Sequence, residues 1–392
     1  MKKKTVNKSN LEALRLVSHG VKGMITVSAM EEERYCPTIF TSYNRAVGIG
    51  GQPLRRMIAV HGKNQTGKSV FAAGIAESMR RFNHIPVIFE AEWSAEKRWL
   101  NRLVMGEGTL FDMPADLDEL FSKIQKNLDN LRNAKEKGLI PDEIGCCFVV
   151  DTLTKLIPKE QFDSMIKDGI EKSYSMQSMW ISLWSKIIVP QIYRSNSSLI
   201  LVLQERQNIG AGKFAKKRKV TLGEALLYDI SLRIECTHST PVMDGDKMLA
   251  SQFHYNVEKN KSDGFTDQSG SFFTSTGEGD TAPGFDYCRE AIEEANVRGL
   301  IKKFKEKKID QISIQNKDDK PIITVPGGIE DLRWHLKNNE SDMQNVVEFL
   351  NSQARRIKNI NVGNTEKKEP EHREEAVQEK SKEKKVEDDS VI

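Results

Sequence analysis

The chain has 392 residues, 38% of them hydrophobic and 29% charged, and its 59 basic residues nearly balance 56 acidic ones for a formal net charge of +3. That length provides for one large core and one or two smaller units, while the near balance of charge neither demands nor excludes a nucleic-acid partner, so local clusters have to decide. No apolar stretch approaches the length of a membrane span, and the basic start "MKKKTVNKSN" lacks the apolar stretch of a signal peptide, so neither membrane nor secretory targeting is expected.

In chain order, Leu11, Leu14, Leu16 and Val17 predict a short amphipathic helix over 10–18, followed by a polar stretch to about Pro37. The apolar runs "MIAV" (57–60), "PVIFEAE" (86–92), "CCFVVD" (146–151) and "SLILVLQ" (198–204) read as buried strands. Helical patterns lie between them, after Lys68 and around 96–104, 117–137 and 176–194. Strands alternating with crossover helices specify an α/β fold built on a mainly parallel, doubly wound sheet. "LYDISLRIEC" and "SQFHYNVEKN" are expected to extend that sheet with antiparallel strands. A helix over 286–298, the strand-like runs "QISIQ" and "PIITV", and helices over 329–337 and 341–357 predict a small C-terminal α+β lobe. Beyond about Val362 the chain is almost without apolar residues and is expected to be a disordered charged tail. The expected divisions are therefore 1–36 (helix, linker and subunit contact), 37–283 (core), 284–361 (lobe) and 362–392 (tail).

Five cysteines occur, Cys36, Cys146, Cys147, Cys236 and Cys288, with no C-x-x-C pair and no zinc spacing. Cys146 and Cys147, inside "CCFVVD", read as small buried hydrophobes, and a reducing cytoplasmic setting follows. The seven histidines show no ligand spacing, and His61 reads as a packing residue.

"GKNQTGKS" (Gly62–Ser69) fits G-x-x-x-x-G-K-[ST] with a strand before it and a helix after it. Glycines let the backbone wrap a phosphate so that successive N–H groups point inward, and the helix starting near Lys68 adds the positive end of its dipole. Gly62, Lys63, Asn64, Gln65, Thr66, Gly67, Lys68, Ser69 and Val70 are thus the expected nucleotide-binding residues. Lys68 is expected on the β- and γ-phosphates and the Ser69 hydroxyl on Mg2+. Asp151 ends the apolar strand "CCFVVD"; such an aspartate also serves as a turn residue or cap, but beside this loop it reads as the carboxylate that holds the metal. ATP and Mg2+ are the expected cofactors. Hydrolysis needs a group to orient water, and the alternation of "VIFEAEW" puts Glu90 and Glu92 on one face without choosing between them.

These segments, in this order, resemble the RecA recombinase family. "IFTSYNRAVGIGGQPLRRMIAVHGKNQTGKS" is similar to the family's entry into its P-loop NTPase core, and "IFEAEWS" to the segment bearing the catalytic glutamate, a register that selects Glu92. The resemblance places Trp99 against the adenine, although a helical tryptophan is otherwise most often a core residue. "CCFVVDTLTKLIP" resembles the Walker B strand. "LILVLQERQNIG" resembles the strand whose glutamine, here Gln204, senses the γ-phosphate and opens the second DNA-binding loop. "NVEKNKSDG" resembles the segment whose lysines, here Lys259 and Lys261, reach ATP across a subunit interface. "TLGEALLYDISLRIE" and "GFDYCREAIEEANVRGLIKK" resemble the exit from that loop and the end of the core. Coverage runs from about Asn10 to Lys303. The second loop is more basic than the family's usual cellular form, and the divergent wording of several motifs is similar to phage-type, UvsX-like members, which would place the protein in a bacterial host cytoplasm.

Of two candidate DNA loops, "KEQFDSMIKDGIEKSYSMQ" carries mixed charge, and only the resemblance promotes it. The second, about 205–221, holds Arg206, Lys213, Lys216, Lys217, Arg218 and Lys219, with Phe214 among them. Such a cluster releases counterions on meeting phosphates, and an aromatic within it stacks on bases. The expected function is an ATP-dependent recombinase that forms a homo-oligomeric helical filament on single-stranded DNA and exchanges strands with double-stranded DNA; the resemblance adds single-strand-binding or mediator proteins as partners. Two rivals stand beside it. One is a hexameric RecA-fold DNA helicase, which would supply an arginine rather than paired lysines across the interface. The other is a non-hydrolysing, ATP-switched filament protein.

Overall fold

The computed structural model describes residues 34–94, 96–104, 106–168, 176–207, 218–220, 224–262, 266, 268–278 and 282–364; the helix expected over 10–18 and the tail from residue 365 onward lie outside them. The chain divides into residues 1–34 and 35–392, and the elements below belong to the longer unit.

Tyr35–Cys36 (β1) pairs antiparallel with Gln52–Pro53 (β2) around Thr41–Val47 (α1). Met57–Gly62 (β3) and Lys68–Arg81 (α2) frame the glycine-rich loop. His84–Glu90 (β4), Lys97–Leu103 (α3), Leu110–Asp112 (β5), Leu117–Glu136 (α4), Gly145–Asp151 (β6), Lys159–Asp168 (α5), Met176–Arg194 (α6) and Ser198–Gln207 (β7) continue the alternation. Arg218–Val220 (β8), Glu224–Asp229 (α7), Leu232–Asp244 (β9), Lys247–Asn260 (β10), Gln268–Ser275 (β11) and Gly284–Phe285 (β12) complete a ten-stranded sheet. Its parallel part runs β5–β4–β6–β7–β3–β9; β10, β11 and β12 follow antiparallel, and β8 pairs antiparallel with the end of β7.

The central strands are near-continuous Val, Ile, Leu and Phe runs because both faces of the sheet are covered. On one face, Phe40 and Tyr43 from the first helix region meet Phe71 of α2, Tyr255 of β10 and Phe272 of β11, with ring centroids 4.9–6.1 Å apart. On the other, α4 buries Leu117, Leu120, Ile124, Leu128 and Leu131, a stripe at helical spacing. Asp116 starts that helix by accepting from the Glu119 N–H at 2.7 Å, and Glu119 reaches back to the Ala115 N–H at 2.7 Å.

Two readings are corrected. "LYDISLRIEC" is a helix and then a strand, and the strand runs parallel to β3 (Ile58 beside Leu232) instead of antiparallel. Leu227–Asp229, the start of the run, are the end of the helix α7, and Leu226 and Ile230 on either side of them bury against the sheet at a spacing of four, which suits a helix and a strand alike. "PVIFEAE" leaves the ladder at Glu90, two residues early, because the Glu90 carboxylate accepts the backbone N–H groups of Glu92 (2.9 Å) and Ser94 (3.2 Å) and turns the chain away.

Tyr287–Val297 (α8), the antiparallel trio Ile301–Glu306 (β13), Ile309–Gln315 (β14) and Pro321–Pro326 (β15), and the helices Ile329–Asn338 (α9) and Glu340–Asn364 (α10) surround a separate apolar cluster that includes Ile312, Ile314, Leu332, Leu336, Val346 and Leu350. Among the described residues no helix is long and apolar enough to cross a membrane.

Candidate nucleotide site and nucleic-acid interface

Parallel strands end together, so their last residues form a row along one edge of the sheet. Register places Gly62 beside Gln204 on one side and Cys236 on the other, and Glu90 beside Asp151. α2 then begins at Lys68, directly above that row, with no side chain capping its first N–H groups. Backbone conformation explains two glycines. Gly67 holds φ +85°, and a Cβ there would lie 2.4 Å from the Phe253 ring. At Gly62, φ is +148° and a Cβ would meet the Cys236 carbonyl oxygen at 2.2 Å. Neither position accepts a side chain, so the loop keeps its backbone N–H groups accessible on its concave side.

Within the loop the Thr66 hydroxyl donates to the Lys63 carbonyl at 2.9 Å, and Lys68 Nζ donates to the same oxygen at 2.5 Å. Lys63, Asn64 and Gln65 are exposed, while Lys68 is buried, and that burial lowers its pKa. Asp151 is pushed up to about 6, first by burial and then by Glu92 and Glu90, while a hydrogen bond from Ser69 opposes the rise. Ser69 and Asp151 are hard oxygen donors placed together, and no group of three or more His, Cys, Asp and Glu side chains suited to a metal occurs among the described residues. That donor set suits Mg2+ shared with nucleotide phosphates rather than an all-protein cage. The uncapped helix start, the two Cβ-intolerant glycines and this oxygen pair together fit a magnesium nucleotide.

The two glutamates separate in role. Glu90 is buried and spends both oxygens on the loop N–H groups given above. Glu92 is exposed, and its Oε1 accepts a hydrogen bond from the Gln204 amide. Trp99 lies on α3, with its side chain outside the described residues.

Lys259 and Lys261 project from the end of β10 and just beyond it onto the last turn of α7. Lys259 Nζ donates to the carbonyls of Leu227 (2.5 Å) and Tyr228 (3.3 Å), and Lys261 Nζ donates to Tyr228 at 2.5 Å. Burial, with Lys261 and Arg233 nearby, pulls Lys259 down to about 8.

The second basic loop rises from a ladder: Glu205 pairs with Val220, Arg206 with Lys219 and Gln207 with Arg218. The side chains of Arg206, Arg218 and Lys219 lie outside the described residues, as do Lys213, Phe214, Lys216 and Lys217 altogether. Of the first candidate loop, residues 159–168 form α5 and 169–175 lie outside. The residue that sequence reasoning undervalued is His61. It is buried, but both ring nitrogens meet carboxylates, Glu205 and Glu258. Glu258 stands 197 residues away along the chain, so only the sheet brings the pair together.

The chain matches the model of the RecA N-terminal domain over residues 19–269, a stretch that takes in the glycine-rich loop, Glu92, Asp151, Gln204, the basic loop and both lysines. It is similar to Protein RecA of Porphyromonas gingivalis, 24% identical over 263 residues that cover 65% of this chain and 73% of that protein. Protein RecA of Mycoplasma mycoides is 26% identical over 218 residues, 56% of this chain and 59% of the relative. The mitochondrial DNA repair protein recA homolog of Dictyostelium discoideum is 27% identical over 216 residues, 55% and 44% of the two chains. With the family's model spanning most of the chain and the parallel sheet carrying the loop at its expected edge, the chain belongs to the RecA family.

Proposed function

We propose that the chain is an ATP-dependent DNA recombinase that assembles on single-stranded DNA and promotes homologous pairing and strand exchange. One observation carries the reading: Gln204, on the strand that leads into the basic loop, donates to Glu92 beside the phosphate cradle. A change at the terminal phosphate is thereby felt at the root of the loop without any long relay.

Lys68 and the loop N–H groups would hold the phosphates, with Ser69 and Asp151 on Mg2+. The metal supplies charge neutralisation across the β- and γ-phosphates when bound. Glu92 is exposed and free of the structural duty that occupies Glu90, so it orients water, and Gln204 reports the phosphate state by exchanging its partner. Lys259 and Lys261 exchange the carbonyls of Leu227 and Tyr228 for the phosphates of a neighbouring subunit's nucleotide. That exchange also loosens α7, which follows the basic loop, and so ties subunit contact to DNA contact. Register sets Arg206 opposite Lys219 in the loop's stem, so basic residues stand on both strands where the loop leaves and rejoins the sheet, a composition that suits a polyanion. The divergent loop wording favours a phage-type member. Electron microscopy of the full chain with single-stranded DNA and a non-hydrolysable ATP analogue tests the reading: helical filaments are expected. Closed rings would favour a hexameric motor instead.

A further inference from the structure

We infer that His61 is a positioning residue whose doubly protonated ring clamps the root of the basic loop to the phosphate-binding strand, so that nucleotide state and DNA grip stay coupled only while both ring N–H groups are present. The inference rests on the function proposed above and deepens it.

His61 is the residue before Gly62 and is 4% exposed. Its Nδ1 lies 2.7 Å from Glu205 Oε1, and its Nε2 lies 3.0 Å from Glu258 Oε2. Arg233 Nε forms an ion pair with the same Glu258 oxygen at 2.8 Å. A neutral imidazole has one N–H, and ionised carboxylates only accept. Two such contacts on one ring are therefore both hydrogen bonds only when each nitrogen carries a proton. The cluster then holds two positive groups, His61 and Arg233, against two negative ones. Loss of the ring proton leaves a nearly buried carboxylate facing a lone pair, and an unmatched charge in such a place is strongly unfavourable.

What the ring joins gives it a role in coupling. Glu205 directly follows Gln204, whose amide meets Glu92, and Glu205 pairs in the ladder with Val220, where the loop returns. Glu258 directly precedes Lys259. A single side chain thus ties the strand below the phosphates to both arms that reach outward from it. The charged groups around the ring are Glu205 of β7, Glu258 of β10, and Arg233 and Glu235 of β9, Glu235 lying level with His61 in the ladder. Lys68 of α2 stands within electrostatic reach of Glu205. Burial lowers the ring's pKa, but the hydrogen bonds and charges of Glu205 and Glu258 outweigh it, and the net direction is upward. A raised pKa extends the clamp's closed, protonated form to higher pH than an ordinary imidazole would keep it, and the clamp opens as the pH rises through that value.

The test uses the full chain and one quantity, the ratio of single-stranded DNA affinities with a non-hydrolysable ATP analogue and with ADP. For the wild type, the ratio is expected to fall about ten-fold as the pH is raised from about 6 to about 9. His61→Gln is expected to give a low ratio that lacks the wild-type transition, keeping only the small change that follows Lys259 as it titrates at about 8, while nucleotide affinity without DNA stays within about two-fold of wild type. Glu258→Gln is expected to keep the transition but move it to lower pH, and it carries the test if His61→Gln does not fold. The inference is overturned if His61→Gln keeps the wild-type ratio and profile, if it loses nucleotide affinity in step with the ratio, or if Glu258→Gln leaves the midpoint in place. A wild-type ratio that is large but independent of pH overturns this inference alone. A wild-type ratio of one at every pH sinks the proposed recombinase function and the clamp with it.

Discussion

Glu90 and Glu92 share a residue type and lie two positions apart, yet the structure gives them different work. Glu90 is the last ladder residue and uses its carboxylate to fix the turn through the N–H groups of Glu92 and Ser94. Glu92 is held only at its tip, by Gln204, and faces the phosphate cradle. Changing Glu92 to Gln is expected to lower DNA-stimulated ATP turnover by about a hundred-fold or more, with ATP binding retained, as measured by steady-state turnover beside nucleotide titration. The strand, glycine-rich loop and helix were legible in the sequence, because the chemistry expected of them needs glycines, a lysine and a hydroxyl at fixed local spacing. The division between the glutamates was not legible from alternation alone, since it depends on where the strand stops. His61 was less legible still: its partners come from two other strands, and a histidine on an apolar strand carries no local sign of them.

At the scale of elements, four long apolar runs identified four parallel strands, and the helical stripe of α4 followed from Leu117, Leu120, Ile124, Leu128 and Leu131. Short elements escaped. β5 has three residues, and β8 is a ladder inside what reads as a basic loop. α7 was hidden in a strand-like run because Leu226 and Ile230 satisfy both periodicities over so short a span. The join between α8 and α1 also rests on a group that no local pattern reveals. Glu290 is buried, and it accepts from the Thr41 hydroxyl at 2.7 Å and the Ser42 N–H at 2.8 Å. Burial raises its carboxyl from 4.5 to about 7, despite those hydrogen bonds. A carboxyl whose folded pKa is raised contributes stability at low pH, and that contribution is lost as the pH climbs from about 4.5 through about 7. Replacing Glu290 with Gln is expected to remove this loss and raise stability at pH 8 by roughly 2–3 kcal/mol relative to wild type, with little change at pH 4, as read by denaturant unfolding.

At the scale of the molecule, the sheet does two jobs with one edge. Its covered faces supply the core, and the shared ends of β3, β6, β7 and β4 gather the glycine-rich loop, Asp151, Gln204 and the glutamates without any long side-chain reach. Strand order, which decides that Gln204 stands beside Gly62, is a property of the assembled sheet that no local run of residues carries; only the family resemblance brought Gln204 towards the phosphates. The basic loop's stem leaves this edge from β7, next to β3, whereas Lys259 and Lys261 of β10 stand level with the start of β3, at the opposite edge. The most direct measurement of this arrangement is the affinity for single-stranded DNA with a non-hydrolysable ATP analogue against that with ADP, in the wild type and in Gln204→Ala. The account expects the wild type to bind at least about ten-fold tighter with the analogue and Gln204→Ala to lose most of that difference. Equal affinities in the wild type, or an undiminished difference in Gln204→Ala, would contradict it.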